Sequence, residues 1–211
     1  MKSETRIILA SASPRRRELL EQIGIGFEVM VSDVEEKVSS SEPAQVVEEL
    51  SAQKAFAVLE AMGESREDVL VIGADTVVAL EGQILGKPQS LEEAEEMLRR
   101  LSGKTHGVYT GVTALYRPGS GRETEASDGC AEGGRRIRRR TFHEKTEVTF
   151  FSLTAEEIAF YLSSGDCMDK AGAYGIQGIF ARYVERIAGD YNNVVGLPAG
   201  RLYQEVKEWL R

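Results

Sequence analysis

The chain has 211 residues, 42% hydrophobic and 28% charged, which is the balance of a globular protein with room for one sizeable core. No apolar run approaches the roughly 18 residues of a membrane span, and residues 1–13 lack the apolar stretch of a signal peptide. A net charge of -8 disfavours nonspecific nucleic-acid binding, because a polyanion is repelled at long range. Two cysteines, Cys130 and Cys167, lack metal-ligand spacing and fit a reducing, cytoplasmic setting.

Arg6–Ala10 reads as a short buried strand. Ser13 and Pro14 then have the character of an N-cap and a first helical residue, opening a helix to about Ile23 that Gly24 stops. Phe27–Val31 is a second strand, and a long helix follows Pro43 with Val46, Val47, Leu50 and Ala57 among its apolar positions. Val69–Ile72 is a buried strand expected to stop at Gly73-Ala74-Asp75-Thr76. Val77–Leu80 and Ile84–Leu85 flank a hairpin turn at residues 81–83.

Ser90 to Glu93 and Thr154 to Glu157 have capping-box spacing, opening helices that end near Gly103 and Leu162. Val108–Tyr116, Glu147–Phe151 and Phe180–Ile187 read as strands, and Leu202, Val206, Trp209 and Leu210 mark the last helix. Strands and helices interleave, so the class is α/β, with a central mixed sheet flanked by helices in a single domain over residues 1–211. One stretch departs from this order. Residues 117–140 hold five glycines, few apolar side chains and the run Arg135-Arg136-Ile137-Arg138-Arg139-Arg140, which predicts a mobile basic insertion loop.

Several segments carry candidate chemistry. Arg15, Arg16 and Arg17 would crowd the first turn of a helix, beside the positive end of its macrodipole, where acidic residues are preferred. A phosphate bound there would relieve the repulsion and use the free first-turn N–H groups; the plainer reading is three solvated arginines. Asp75 has small neighbours that let a ligand approach. It could hold a metal, accept a proton from water, or merely cap its own backbone. Glu36 offers a second carboxylate, and magnesium favours one or two carboxylates together with phosphate oxygens, although adjacent glutamates such as Glu35 and Glu36 are common on solvated surfaces.

Lys54, Lys87 and Lys170 are compact cations suited to phosphate charge, though each alone is ordinary on a surface. The amide of Gln177, within Gly175-Ile176-Gln177-Gly178, could meet both N3–H and O4 of thymine or uracil, or could be satisfied by nearby backbone. His106 and His143 share no metal spacing and receive no role. No Walker A loop, dinucleotide fingerprint or nucleophile elbow is present.

Taken in order, Leu9–Arg16, Gly73–Thr76, Leu85–Pro88, Asp169–Gly178 and Gly189–Pro198 resemble the Maf family of nucleotide pyrophosphatases, over nearly the whole chain. The resemblance implies a fold like that of inosine-triphosphate pyrophosphatases, with two lobes and a cleft. It implies Asp75 as proton acceptor, with Lys54 and Lys87 beside it in catalysis. Ser11, Arg15, Arg16, Glu36, Asp169 and Lys170 are implied around the triphosphate and a Mg2+ or Mn2+ ion, the metal held by Glu36 with Asp75 or Asp169.

Members preferring dTTP and UTP carry arginine, threonine and glutamine where this chain has Arg15, Thr76 and Gln177. The implied reaction is hydrolysis of those nucleotides to the monophosphate and pyrophosphate, and the implied assembly is a homodimer. The family's link to septum formation also suggests a regulator that binds nucleotide without turnover. The basic 117–140 segment is longer than the family's usual connection; it leaves room for a nucleic-acid or acidic-protein partner, against which the net negative charge weighs.

Overall fold

The computed structural model describes residues 5–31, 33–63, 65–119, 130–132 and 135–210. In chain order the elements are β1 (Arg6–Ala10), α1 (Pro14–Gln22), β2 (Glu28–Val29), α2 (Pro43–Ala61), β3 (Val69–Leu80), β4 (Gln83–Leu85), α3 (Leu91–Leu101) and β5 (Thr105–Arg117). There follow β6 (Cys130–Glu132), β7 (Arg135–Phe150), α4 (Ala155–Ser163), β8 (Val184–Ala188), α5 (Tyr191–Val195) and α6 (Ala199–Val206). Two short 3-10 turns, Ala171–Ala173 and Ile179–Tyr183, lie between α4 and β8.

The strands form one eight-stranded sheet in the order β2-β1-β3-β5-β7-β6, with β4 added to β3 and β8 to β7. β1 runs parallel to β2 and β3, whereas β5 runs antiparallel to both of its neighbours, β3 and β7, so the sheet is mixed as expected. Its inner strands read as continuous apolar runs because both faces are covered. On β3, Val69 and Val71 pack with Ala55, Val58 and Leu59 of α2, and Val77 packs with Val46, Val47 and Leu50 of the same helix. Leu70, Ile72, Ala74 and Val78 point the other way, into the core shared with α1, α3, α4 and the C-terminal helices.

Helix α2 lies close against the sheet because two glycines make room. A Cβ on Gly73 would sit 2.3 Å from the Ser51 carbonyl oxygen, and one on Gly111 would sit 2.2 Å from that of Val47. These two residues lie on neighbouring strands, two registers apart, since Gly73 pairs with Thr113 and Asp75 with Gly111. The close approach is what lowers Lys54 of α2 onto the strand.

Three expectations change. Residues 69–80 form one strand rather than two segments broken at Gly73–Thr76, because β5 pairs with positions 69 to 79 without interruption and holds the small residues extended. The basic run Arg135–Arg140 belongs to β7, with Leu115 paired to Arg139 and Tyr116 to Arg138, while 120–129 and 133–134 of the expected loop lie outside the described residues. The guanidinium groups lie over aromatic rings, that of Arg139 5.6 Å from the Phe56 ring centroid and that of Arg140 4.8 Å from that of Trp209, which is how a charged run is accommodated beside a core. The strand expected at Phe180–Ile187 starts only at Val184, because Phe180 and Tyr183 turn inward to join a cluster of Phe150, Tyr161 and Tyr174.

Most helix ends follow the sequence signals closely, but α6 stops at Val206, so Trp209 and Leu210 of the expected last helix lie beyond it. Thr154 and Glu157 complete a reciprocal capping box, while Ser90 accepts from the Glu93 N–H but the Glu93 carboxylate reaches back to Gln89. The hairpin between β3 and β4 turns through Glu81 and Gly82, both at positive φ.

His106, on β5, is buried in the aromatic cluster, its Nε2 2.9 Å from the Tyr174 hydroxyl and its ring edge-on to Phe150. Nδ1 has no hydrogen-bond partner among the described residues. Burial pushes its pKa down to about 4. The unfolded chain binds a proton at its ordinary value near 6.5 while the folded one refuses it, so stability contributed by neutral His106 is present above pH 6.5 and is lost as pH falls toward 4. Urea titrations across that window are expected to show a loss in the wild type exceeding that of His106→Gln by up to about 3 kcal/mol. A second expectation concerns the helix seat: Gly111→Ala should destabilise by about 1–3 kcal/mol through overpacking against α2, read as a lower urea midpoint.

Candidate active site

The cleft originates in a gap in strand pairing. β1 accompanies β3 as far as Ala10 opposite Gly73, and β4 joins only at Val78. Between them, residues 74–77 pair with β5 on one side and with no described strand on the other. A strand with one open edge exposes both its faces to the same opening, so Asp75 and Thr76, which point to opposite sides of the sheet, both line a single cleft of about 640 Å³. Asp75 was expected at a strand terminus; it sits mid-strand, and the early end of β1 supplies the opening instead.

On the α2 side, Lys54 donates to Oδ1 of Asp75 and, at 2.9 Å, to Oε1 of Glu36. One ammonium therefore joins two carboxylates contributed by a helix-facing strand and by the segment before α2. Oδ2 of Asp75 takes no hydrogen bond from the described residues.

On the opposite side, α1 begins at Pro14 with no acidic residue in its first turn and no side-chain cap from Ser13. The Ser11 hydroxyl accepts instead from the Ser13 N–H at 3.3 Å. The three arginines separate in role. Arg16 spends three of its five N–H donors on protein acceptors: Nε on the Gly196 carbonyl at 2.8 Å, one terminal nitrogen on Ser11 Oγ and the other on Thr76 Oγ1, each at 3.0 Å. Burial lowers its pKa, countered by the nearby Asp75 charge.

The Thr76 hydroxyl, occupied as an acceptor, is 2.9 Å from Thr110, which in turn donates to the Asn193 carbonyl at 3.1 Å. The proton order thus runs from Arg16 through Thr76 and Thr110 to Asn193. Arg15 points across the cleft to Asp169 at 3.1 Å, and Arg17 is exposed.

The third wall is the segment following α4. Lys170 is largely buried and donates to Asp169 at 2.7 Å, and at the same distance to both the carboxylate and the carbonyl oxygen of Asp166. Burial raises the Asp169 pKa, but the hydrogen bonds from Lys170 and Arg15 outweigh it and hold the carboxyl below its usual range. Lys87 is exposed at the rim, in a turn stapled to this wall by the Gly172 N–H donating to the Gly86 carbonyl at 3.0 Å. Gln177 is exposed on the same cleft.

Of the residues singled out from sequence, Ser11, Arg15, Arg16, Glu36, Lys54, Asp75, Thr76, Lys87, Asp169, Lys170 and Gln177 therefore line one cleft, and Arg17 of the arginine run does not. Their acids do not merge into one cluster. Glu36 and Asp75 meet at Lys54, whereas Asp169 pairs with Arg15 and Lys170, and no group of three or more His, Cys, Asp or Glu spaced to hold a metal occurs among the described residues. Glu36 and Asp75 do suit a hard divalent ion whose remaining positions are filled by phosphate oxygens and water, since one ammonium already draws both carboxylates together.

Sequence reading missed Asp166, Thr110 and Asn193. Asn193 is fully buried and donates to the Val108 carbonyl and to Thr146, anchoring α5 so that the Gly196 carbonyl meets Arg16. Its place immediately before the apolar pair Val194-Val195 is the one sequence signal that points to it.

Relatives match the chain over nearly its whole length. The chain is 53% identical over 213 residues to a dTTP/UTP pyrophosphatase of Agathobacter rectalis, covering 97% of each protein. It is 48% identical to a dTTP/UTP pyrophosphatase of Lachnoclostridium phytofermentans, covering 96% of this chain and 94% of that one. A looser likeness, at 15% identity and a TM-score of 0.47, extends over 98% of this chain and 100% of the Staphylococcus aureus Ham1 protein. The Maf-like protein profile matches residues 6–209, and with relatives of this similarity the chain belongs to the Maf family.

Proposed function

We propose that the protein hydrolyses dTTP and UTP to the corresponding monophosphate and pyrophosphate. The observation that carries this reading is the placement of Asp75 in the sheet gap, held by Lys54, and facing a cleft whose other walls present Arg15, Lys87 and Lys170. The activity named for relatives at about half identity supports the substrate.

In this mechanism the triphosphate lies between the α1 N-terminus and the Asp166–Gly178 wall. Arg15, Lys87 and Lys170 take up the charge that develops on the departing pyrophosphate, the largest service a protein offers this class of reaction. Asp75 accepts a proton from a water that attacks the α-phosphorus; the bond from the α-phosphorus to the bridging oxygen breaks, and pyrophosphate leaves with the bond's electron pair. Lys54 keeps the Asp75 carboxylate in register, and Arg16 holds Thr76 and the Gly196 carbonyl in place as a strut. A Mg2+ or Mn2+ ion held by Glu36 together with phosphate oxygens and water would supply Lewis-acid stabilisation of those oxygens and leave Asp75 to act as base.

Charge balance supports that partnership. Lys54 and Lys170 are each already shared between two carboxylates, so a polyanion entering the cleft has to bring counter-charge with it. Gln177 offers a donor and an acceptor side by side at the rim, matching O4 and N3–H of thymine and uracil. The reading extends to a homodimer acting in the cytoplasm, and the buried, free Cys167 thiol is compatible with a reducing compartment.

The test is pyrophosphate release from a nucleotide panel with and without divalent metal. Asp75→Asn is expected to lower kcat by about 10² or more while melting like the wild type, and chelation is expected to abolish turnover. Tight dTTP binding without hydrolysis in any metal would overturn the enzymatic reading in favour of a nucleotide-binding regulator. Gln177→Glu should raise KM for dTTP and UTP about tenfold or more, since it replaces an amide donor with a repulsive acceptor, and leave binding of inorganic tripolyphosphate unchanged.

A further inference from the structure

We infer that Asp166 is a positioning residue that couples the phosphate-facing ammonium of Lys170 to the turn carrying Gln177, so that one carboxylate sets both halves of the substrate site; the identity of the ligand rests on the function proposed above. Asp166 lies just after α4 and has no place in the chemistry described so far. Its Oδ1 accepts from Lys170 Nζ at 2.7 Å, and its backbone carbonyl accepts from the same ammonium at 2.7 Å.

Its other oxygen, Oδ2, abuts the turn. A Cβ on Gly178 would stand 3.1 Å from that oxygen, and one on Gly175 would stand 3.2 Å from it and 2.5 Å from Lys170 Cε. The turn closes through the Gly178 N–H and the Gly175 carbonyl, with Gln177 inside it. Behind them Tyr161, wholly buried, accepts from the Gly175 N–H at 3.1 Å and sets its hydroxyl 3.3–3.4 Å from the Asp166 carbonyl and Oδ2. The glycines are thus small because Asp166 and the Lys170 stem occupy the space their side chains would need.

The two acids on Lys170 differ in what a ligand can do to them. Asp169 is exposed and shared with Arg15, so arriving phosphate oxygens can take over both of its cations. Asp166 holds Lys170 by carboxylate and carbonyl together, which fixes a four-carbon stem that would otherwise lose much rotamer freedom on binding phosphate.

Two ligands separate the halves in the full-length protein: inorganic tripolyphosphate, which has no base, and dTMP, which has a base and a single phosphate. Asp166→Asn is expected to weaken both about tenfold, the scale of one charge-assisted hydrogen bond. Lys170→Met should weaken tripolyphosphate alone and Gln177→Ala dTMP alone. Should Asp166→Asn not fold, as judged by its melting curve, Gly178→Ala decides, because it pushes on Oδ2 without removing any charge and is expected to weaken both ligands. Wild-type affinity for either ligand in the deciding variant overturns the inference, as does a wild type that binds neither. A wild type that binds both yet releases no pyrophosphate from any nucleotide defeats the hydrolytic reading, while the variants still decide the role of Asp166.

Discussion

The site depends on how closely one helix can approach one sheet. Lys54 reaches Asp75 only because α2 rests directly on the backbone of β3 and β5, where Gly73 and Gly111 leave no side chain in the way. An ordinary residue at either position would lift the helix by part of a side-chain diameter, and a buried interface does not absorb such a shift without strain. The same seat places Val46, Val47 and Leu50 over Val77, so the packing that stabilises the helix is also the packing that aims its lysine.

A second constraint acts in the plane of the sheet. Because β1 ends at Ala10 and β4 begins opposite Val78, four residues of β3 keep an open edge in the middle of a buried structure. Open edges are usually blunted or covered. Here the edge is walled by the α1 N-terminus on one side and the Asp166–Gly178 segment on the other, which turns it into a cleft. The alternation of a strand then delivers Asp75 to the α2 side and Thr76 to the Arg16 side of one opening. The two positions serve different purposes: a charged pair across one face, and a chain of hydroxyls and a guanidinium bracing the other.

Electrostatically the cleft is assembled from cations already shared among acids. Lys54 bridges Glu36 and Asp75, Lys170 bridges Asp166 and Asp169, and Arg15 crosses to Asp169. Such pairs keep long, flexible cations in position in the absence of ligand, where unpaired charges would repel one another. They also explain how a chain of net charge -8 can present a surface suited to phosphate: the positive groups are local and ordered, and the excess acid lies elsewhere on the surface.

Much of this was legible beforehand. The helix starts at Pro14 and Ala155, the hairpin at Glu81–Gly82 and the buried character of Val69–Ile72 follow from local rules acting over a few residues, and the residues that line the cleft were recognisable as ordered motifs. Where reading failed, a distant partner had overridden a local signal. Gly73–Thr76 looks like a stop until β5 is seen to pair straight through it, and Arg135–Arg140 looks like a solvated run until Tyr116 and Leu115 give it a partner strand.

The amino-acid sequence by itself therefore determined the residue types, the turns and caps, and the apolar alternation of the strands, because those depend on bond geometry and near neighbours. Tertiary structure alone decided which charges meet. Lys54 and Asp75 are separated by 21 residues, Arg15 and Asp169 by 154, and Arg16 and Gly196 by 180; contacts at such separations are set by how sheet register and helix seating fold the chain back on itself, and no local spacing encodes them.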